Sequence, residues 1–123
     1  MTLRAICLGV AVSLIAFAVQ AEDLSGKYRI EGRNATGSGT YTGEVQIVRT
    51  GDAYQLRWLL QQGGMIGMGV VLDKILSVTF QGRNGPAGIA AFRINGDGSL
   101  AGIWAEPGGK ALGTETWTPA DRS

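Results

Sequence analysis

The sequence predicts an all-β protein consisting of a single small antiparallel up-and-down β-barrel of about eight strands. Hydrophobic and polar residues alternate in eight short runs, short turn-forming segments separate the runs, and there are 20 glycines in 123 residues. Alternation with a period of two indicates strands with one buried face, and strands joined by short turns pair in sequence order as a meander. A flattened sandwich of two sheets is the alternative arrangement of the same strands.

The eight runs are predicted strands with one apolar face each. They span residues 26–32, 40–49, 53–60, 64–72, 74–81, 88–94, 100–105 and 112–118. The aromatic residues expected on the inner face are Tyr28, Tyr41, Tyr54, Trp58, Phe80, Phe92, Trp104 and Trp117. In the second strand, Tyr41, Val45 and Ile47 alternate with polar residues, which makes it the clearest half-buried strand. The fourth strand, rich in Met and Gly, has no clear facing.

The segments between the strands are rich in residues that favour turns. Residues 50–52 and 71–74 are short enough for tight hairpins, residues 83–86 and 106–109 form longer turns, and residues 33–39 form a flexible loop. The segment from Asn95 to Gly98 is the strongest hairpin signal, because Asn-Gly and Asp-Gly adopt the positive φ angles of primed turns. Glycines inside strands favour a tightly coiled, closed sheet. They are Gly43, Gly69, Gly88, Gly102 and Gly113.

Residues 1–21 have the pattern of a secretory signal peptide. Arg4 precedes an apolar stretch over residues 6–19, and Val19-Gln20-Ala21 forms a small-x-small cleavage site. The apolar stretch is about 14 residues, shorter than the roughly 20 that span a bilayer. We therefore expect cleavage after Ala21, a single barrel domain over residues 22–123, no membrane insertion after cleavage, and a periplasmic or secreted protein.

The composition of the mature chain argues against several classes of function. Without the leader, 102 residues remain with 10 basic and 10 acidic side chains, no histidine and no cysteine. The neutral balance argues against nucleic acid as a partner. Serine–histidine and cysteine–histidine catalysis is excluded because histidine is absent. Thiolate metal sites are excluded because the mature chain has no cysteine. We expect no enzymatic activity, no metal and no cofactor.

The candidate binding residues lie on the expected inner face and on the fourth strand. Tyr41, Trp58 and Trp104 are candidates for contact with a small apolar ligand inside the barrel. Met65 and Met68 are candidates for a pocket lining or a partner-facing edge, because Met side chains adapt to irregular surfaces; simple core filling is the alternative. The mouth of the barrel is expected at residues 33–39, 61–64 and 106–109. Eight aromatic side chains also fit a filled interior without a cavity.

Glu115 is the one carboxylate that alternation could direct inward, because it shares a strand face with Gly113 and Trp117. A buried carboxylate needs a partner. It is therefore either paired with an arginine or a ligand-orienting group at the barrel mouth. If Leu112, Thr114 and Thr116 face inward instead, Glu115 is solvated.

Several motifs resemble those of a family of small secreted proteins of Gram-negative bacteria. They are Gly39 to Val45, Gly51 to Trp58, Gly67-Met68-Gly69, Leu100 to Trp104 and Gly113 to Pro119. Members carry the loose label "fibronectin-binding", which implies adhesion to host matrix. A weaker resemblance to avidin and lipocalin barrels rests on residues 24–28 and on the Gly-x-Trp at 102–104. Both resemblances imply a β-barrel.

Together these features predict an exported, non-enzymatic β-barrel binding module. Its partner is expected to be a small apolar ligand or another protein. Two alternatives stay open: a structural envelope-associated protein with a filled barrel, and an inhibitor of a periplasmic hydrolase that acts through an exposed loop.

Overall fold

The computed structural model describes residues 23–37 and 39–120, which form eight strands and no helix. The strands are β1 (Gly26–Arg33), β2 (Thr40–Thr50), β3 (Ala53–Leu60), β4 (Gly63–Leu72), β5 (Ile75–Gly82), β6 (Gly88–Ile94), β7 (Leu100–Ala105) and β8 (Gly113–Pro119). Each lies within one residue of the predicted bounds at either end. The predicted signal peptide, residues 1–21, lies outside the described residues. In the described part of the chain, no helix long and apolar enough to cross a membrane is found.

The eight strands close into one antiparallel barrel in sequence order. β1 pairs with β2 on one side and with β8 on the other, so that Ile30 lies opposite Gly43 and also opposite Trp117. Closure removes the exposed strand edges that an open sheet would leave. The predicted barrel is therefore confirmed, and the alternative sandwich of two sheets is wrong.

The interior is filled at the end of the barrel where the described chain begins. Phe92 and Trp117 are fully buried and pack with their ring centroids 4.0 Å apart. Leu24 closes this end: its carbonyl oxygen accepts a hydrogen bond from the Tyr28 hydroxyl at 2.8 Å, and its side chain belongs to the core. All eight aromatic residues predicted to face inward do so, with Tyr41 and Trp104 only half-buried. Space for a ligand inside the barrel is therefore expected only towards its opposite end.

Four glycines make room for four of the inward-facing rings. In the strand register, Gly32 lies opposite Tyr41, Gly88 opposite Phe80, Gly102 opposite Phe92 and Gly113 opposite Trp104. A Cβ atom on any of these glycines would overlap the ring of its partner. The rings therefore lie across the neighbouring strand at a distance that only glycine permits.

The hairpin at residues 95–99 is confirmed, but its turn is not the predicted primed type. The Asn95 N–H donates to the Ser99 carbonyl at 2.9 Å, and the Gly98 N–H donates to the Asn95 carbonyl at 3.1 Å. Of these turn residues only Gly98 has a positive φ, at 90°. The Asp97 side chain accepts hydrogen bonds from the N–H and hydroxyl of Ser99. This local bonding favours a longer loop over the two-residue turn.

Candidate functional site

One end of the barrel, called the mouth below, is formed by the described residues of four connections: 34–37 with 39, 61–62, 83–87 and 106–112. In an antiparallel meander, alternate connections lie at the same end, so the three predicted mouth segments do come together. Inside the mouth is a cavity of about 160 Å³. It is lined by Asn34, Tyr41, Trp58, Leu60, Gln62, Met65, Phe80, Ala90, Phe92, Trp104, Glu106 and Glu115.

Five of the six candidate residues line this cavity. Tyr41, Met65 and Trp104 are half-buried and Trp58 is fully buried, and Glu115 completes the set. Met68 does not belong to the site, because its side chain is 56% exposed on the outer face. Met65 and Met68 are three residues apart in a strand, and side chains at an odd spacing point to opposite faces. The two methionines therefore do not line one pocket, and the partner-facing alternative stays a prediction for Met68.

Glu115 is the polar centre of the site. Its side chain is 6% exposed, and in the register it lies between Gly32 of β1 and Gly102 of β7. The Tyr41 hydroxyl donates to Oε2 at 2.6 Å, and the Trp117 Nε1–H donates to Oε1 at 2.7 Å. The predicted inward orientation is confirmed. The alternative with Thr114 and Thr116 inward is wrong, since both are exposed.

Two neutral donors take the place of the arginine that the sequence suggested as a partner for Glu115. Burial raises the pKa of Glu115, and the hydrogen bonds from Tyr41 and Trp117, with a contribution from the Trp58 indole, partly oppose that rise. Burial and the neighbouring carboxylate also raise the pKa of the Tyr41 phenol. Tyr41 therefore keeps its proton at neutral pH, and its hydroxyl donates a hydrogen bond to Glu115.

Of the five aromatic rings that line the cavity, Phe80 lies at steep angles to both Trp58 and Trp104. The Trp58 and Phe80 centroids are 6.2 Å apart with an interplanar angle of 63°, and those of Phe80 and Trp104 are 6.2 Å apart at 89°. Such edge-to-face contacts are favourable beyond the area that they bury. The Trp104 Nε1–H is buried above Gly113 and makes no hydrogen bond with the described residues, although it lies close enough to the Tyr41 oxygen to lower the pKa of that group.

The site contains acidic side chains and no basic ones. Among the twelve lining residues the charged ones are Glu106 and Glu115, and none is lysine or arginine. Asn34 and Gln62 add neutral amides from two of the mouth connections. In the described residues no cluster of three or more histidine, cysteine, aspartate or glutamate side chains could hold a metal ion. The arrangement is suited to recognising a small molecule through rings, two amides and one buried carboxylate.

Seven of the lining residues were not named individually as site residues from the sequence, although the segments that contain Asn34, Gln62 and Glu106 were predicted at the mouth. Phe80 and Phe92 were placed correctly on the inner face but were not assigned to a site, and their alternation was the available signal. Leu60 and Ala90 follow the same alternation. Asn34, Gln62 and Glu106 lie on connections, where no periodicity shows which side chains turn towards the cavity. Glu106 is exposed, as predicted, yet it reaches the rim.

Comparisons with protein-family models and with curated proteins identified no relative of the chain. No protein-family model matches the chain, and no curated protein matches it at a significant level. The resemblance to small secreted Gram-negative proteins therefore stays a prediction.

Proposed function

We propose that residues 22–123 form an exported, non-enzymatic binding module that takes up a small molecule through the mouth of the barrel. The observation that carries this proposal is the cavity of about 160 Å³, which has an aromatic wall and contains Glu115. Pockets with mostly apolar walls and a few convergent polar groups are the usual form of a small-molecule site. Export rests on the signal-peptide pattern of residues 1–21.

The size of the cavity limits the ligand. A protein cavity of about 150 Å³ is large enough to hold benzene, so a ligand, or the part of it that enters, has roughly six to ten non-hydrogen atoms. The chemistry of the wall supports binding rather than catalysis. Both Glu115 oxygens already accept hydrogen bonds, and the raised pKa of Tyr41 keeps that phenol protonated, so neither group is poised as a base or nucleophile.

Native mass spectrometry beside denaturing mass spectrometry tests this proposal. We would purify the mature protein from the cells that produce it, together with the variants W104A and I103A. Ile103 is the neighbour of Trp104 on the same strand but lies on the outer face, so I103A controls for truncation of β7. We expect an additional mass under native conditions that W104A loses and I103A keeps. A bare native mass, or retention of the ligand by folded W104A, would contradict the proposal.

A second candidate function, contact with another protein chain, is favoured by the outer surface of β4 to β7. Exposed apolar side chains are concentrated there, and we call this surface the apolar outer face. Its residues are Ile66, Met68, Val70, Ser77, Thr79, Ile89, Ala91, Ile103 and Leu112. The smaller side chains Ser77, Thr79 and Ala91 form a groove between larger apolar side chains of β4, β6 and β7, and the residues that line the groove include no charged side chain. Exposed apolar patches of this kind mark interaction sites.

We infer that the partner on this face is a second copy of the chain. Four strands about 4.8 Å apart and about seven residues long cover roughly 450 Å² in projection. This is little more than half of the roughly 800 Å² of accessible surface that each partner of a standard specific complex buries, so the expected dimer is a weak one. A ridge beside a groove on one face also suits self-association about a two-fold axis. Sedimentation velocity should show a dimer that V70K removes. T42K changes an exposed residue of β2, which the closed strand order places across the barrel from β6, and should leave it intact. A monomeric wild type at 100 μM, or a dimer that survives V70K, would exclude this candidate.

A further inference from the structure

We propose that the ligand of the mouth cavity is a small organic cation with an alkylated ammonium group. This inference rests on the proposed function and specifies its ligand class. It differs from the purely apolar ligand that the sequence suggested, because the cavity combines an aromatic wall with carboxylates that have no cationic partner among the described residues.

The electrostatics of the site supply the first argument. Glu115 is buried, and its two hydrogen-bond donors, the Tyr41 hydroxyl and the Trp117 indole, are neutral. A buried charge is costly unless an opposite charge or several hydrogen bonds compensate it. Glu106 adds a second carboxylate at the rim, and no lysine or arginine lines the cavity. A cationic ligand would supply the missing positive charge.

The aromatic wall supplies the second argument. Trp58, Phe80 and Trp104 surround the cavity with planes inclined at 63° and 89° to one another. Aromatic faces attract cations, and alkylated ammonium groups are recognised in protein cages built of several rings. A metal ion needs several oxygen ligands, and the described residues offer no cluster of that kind. A weakly hydrated organic cation satisfies both the rings and the carboxylate.

Size and access supply the third argument. The cavity holds about 160 Å³, enough for a trimethylammonium group with a short substituent. The opposite end of the barrel is closed by Leu24, which is 5% exposed. The ligand must therefore enter between the mouth connections, one of which contributes the exposed Glu106 to the cavity wall.

Two probes of equal shape and different charge test the inference. Choline and its neutral isostere 3,3-dimethylbutan-1-ol differ at the atom that carries the charge, so their affinities for the full mature protein separate the charge contribution from the apolar one. Isothermal titration calorimetry should show that choline binds at least tenfold more tightly. E115Q should remove that preference. E31Q, which makes the same change on the exposed outer surface of β1, should leave it unchanged.

Each possible result of these titrations bears on a different part of the proposal. Equal binding of the two probes, or tighter binding of the alcohol, would overturn the cation inference and leave the small-molecule function standing. Binding of neither probe would overturn the cation inference, and the native mass would then decide the proposed function separately. If E115Q fails to fold, E106Q serves as the second variant, because it should weaken choline binding several-fold and alcohol binding not at all. An E106Q variant with unchanged choline affinity would argue against the cation.

Discussion

The substitution G113A tests the close packing between glycine and aromatic ring on which the shape of the mouth depends. Gly113 lies directly opposite Trp104 in the register of β7 and β8, and an added Cβ would overlap the indole. Backbone displacement is opposed by the hydrogen-bonded barrel, so the ring must move instead. Trp104 would then lose its edge-to-face contact with Phe80, where the centroids are 6.2 Å apart, and the cavity would change shape.

The size of the effect follows from two opposing contributions. Forcing an extra methyl group into a packed site costs about 1–3 kcal/mol. Replacing glycine by alanine stabilises by about 0.4–1 kcal/mol, because the unfolded chain loses conformational freedom. The expected net loss in the free energy of unfolding is therefore about 1–2 kcal/mol. For a domain of this size that corresponds to a decrease in Tm of roughly 4–16 °C.

The matched control is G96A, because a Cβ at Gly96 would meet no atom within 4 Å. Urea denaturation followed by tryptophan fluorescence should show G113A less stable than the wild type and G96A equal to it or slightly more stable. The near-ultraviolet circular dichroism of G113A should change as Trp104 leaves its packing. If G113A matched G96A in stability and kept the wild-type spectrum, the steric reasoning would be refuted.

Three further predictions concern the buried carboxylate and the leader. Burial raises the pKa of Glu115 above its usual value of 4.5, so the folded protein holds this proton more tightly than the unfolded chain does. The free energy of unfolding should therefore fall as the pH rises from 4.5 through the raised pKa, by at most about 1.4 kcal/mol per pH unit. Urea titrations between pH 4 and 8 should show this slope in the wild type and not in E115Q; an identical slope in both would contradict it. The variant Y41F removes the hydroxyl that donates to Oε2 of Glu115. Its free energy of unfolding, measured by urea denaturation at pH 7, should be lower than that of the wild type by about 1–3 kcal/mol. Equal stability of the two proteins would show that the hydrogen bond contributes nothing. Finally, Edman sequencing of the protein from its producing cells should begin at Glu22, and a sequence that begins at Met1 would argue against export.

The sequence predicted the fold closely because a strand's period of two is a local property. In β2, Tyr41, Val45 and Ile47 alternate with polar residues, and that pattern alone fixes which face is buried. Pairing of β1 with β8 was harder to predict from the sequence, since it depends on contacts between strands that are far apart in the chain. The turn at Asn95 was predicted as the wrong type because the Asp97 side chain bonds locally to Ser99, and dipeptide preferences do not include such competition.

The candidate site was predictable only where it is built from strands. Glu115 could be placed on the inner face by its spacing from Gly113 and Trp117, but its donor Tyr41 is 74 residues away in the chain. Spacing cannot show such a contact. The sequence could not show that Met65 and Met68 face opposite sides of the sheet, because glycines on both sides of Met68 hide the alternation of β4. Asn34 and Gln62 lie on connections, whose side-chain directions depend on the assembled barrel rather than on a repeating pattern.

The claim that the mouth cavity is the binding site can be tested by NMR on the indole groups. The chain has three tryptophans, of which Trp58 and Trp104 line the cavity and Trp117 lies behind Glu115. We would record ¹H–¹⁵N spectra of the mature protein during titration with choline and with 3,3-dimethylbutan-1-ol. We expect the indole signals of Trp58 and Trp104 to shift with increasing ligand. Indole signals that stay unchanged while the amides of the apolar outer face shift would contradict a binding site at the mouth.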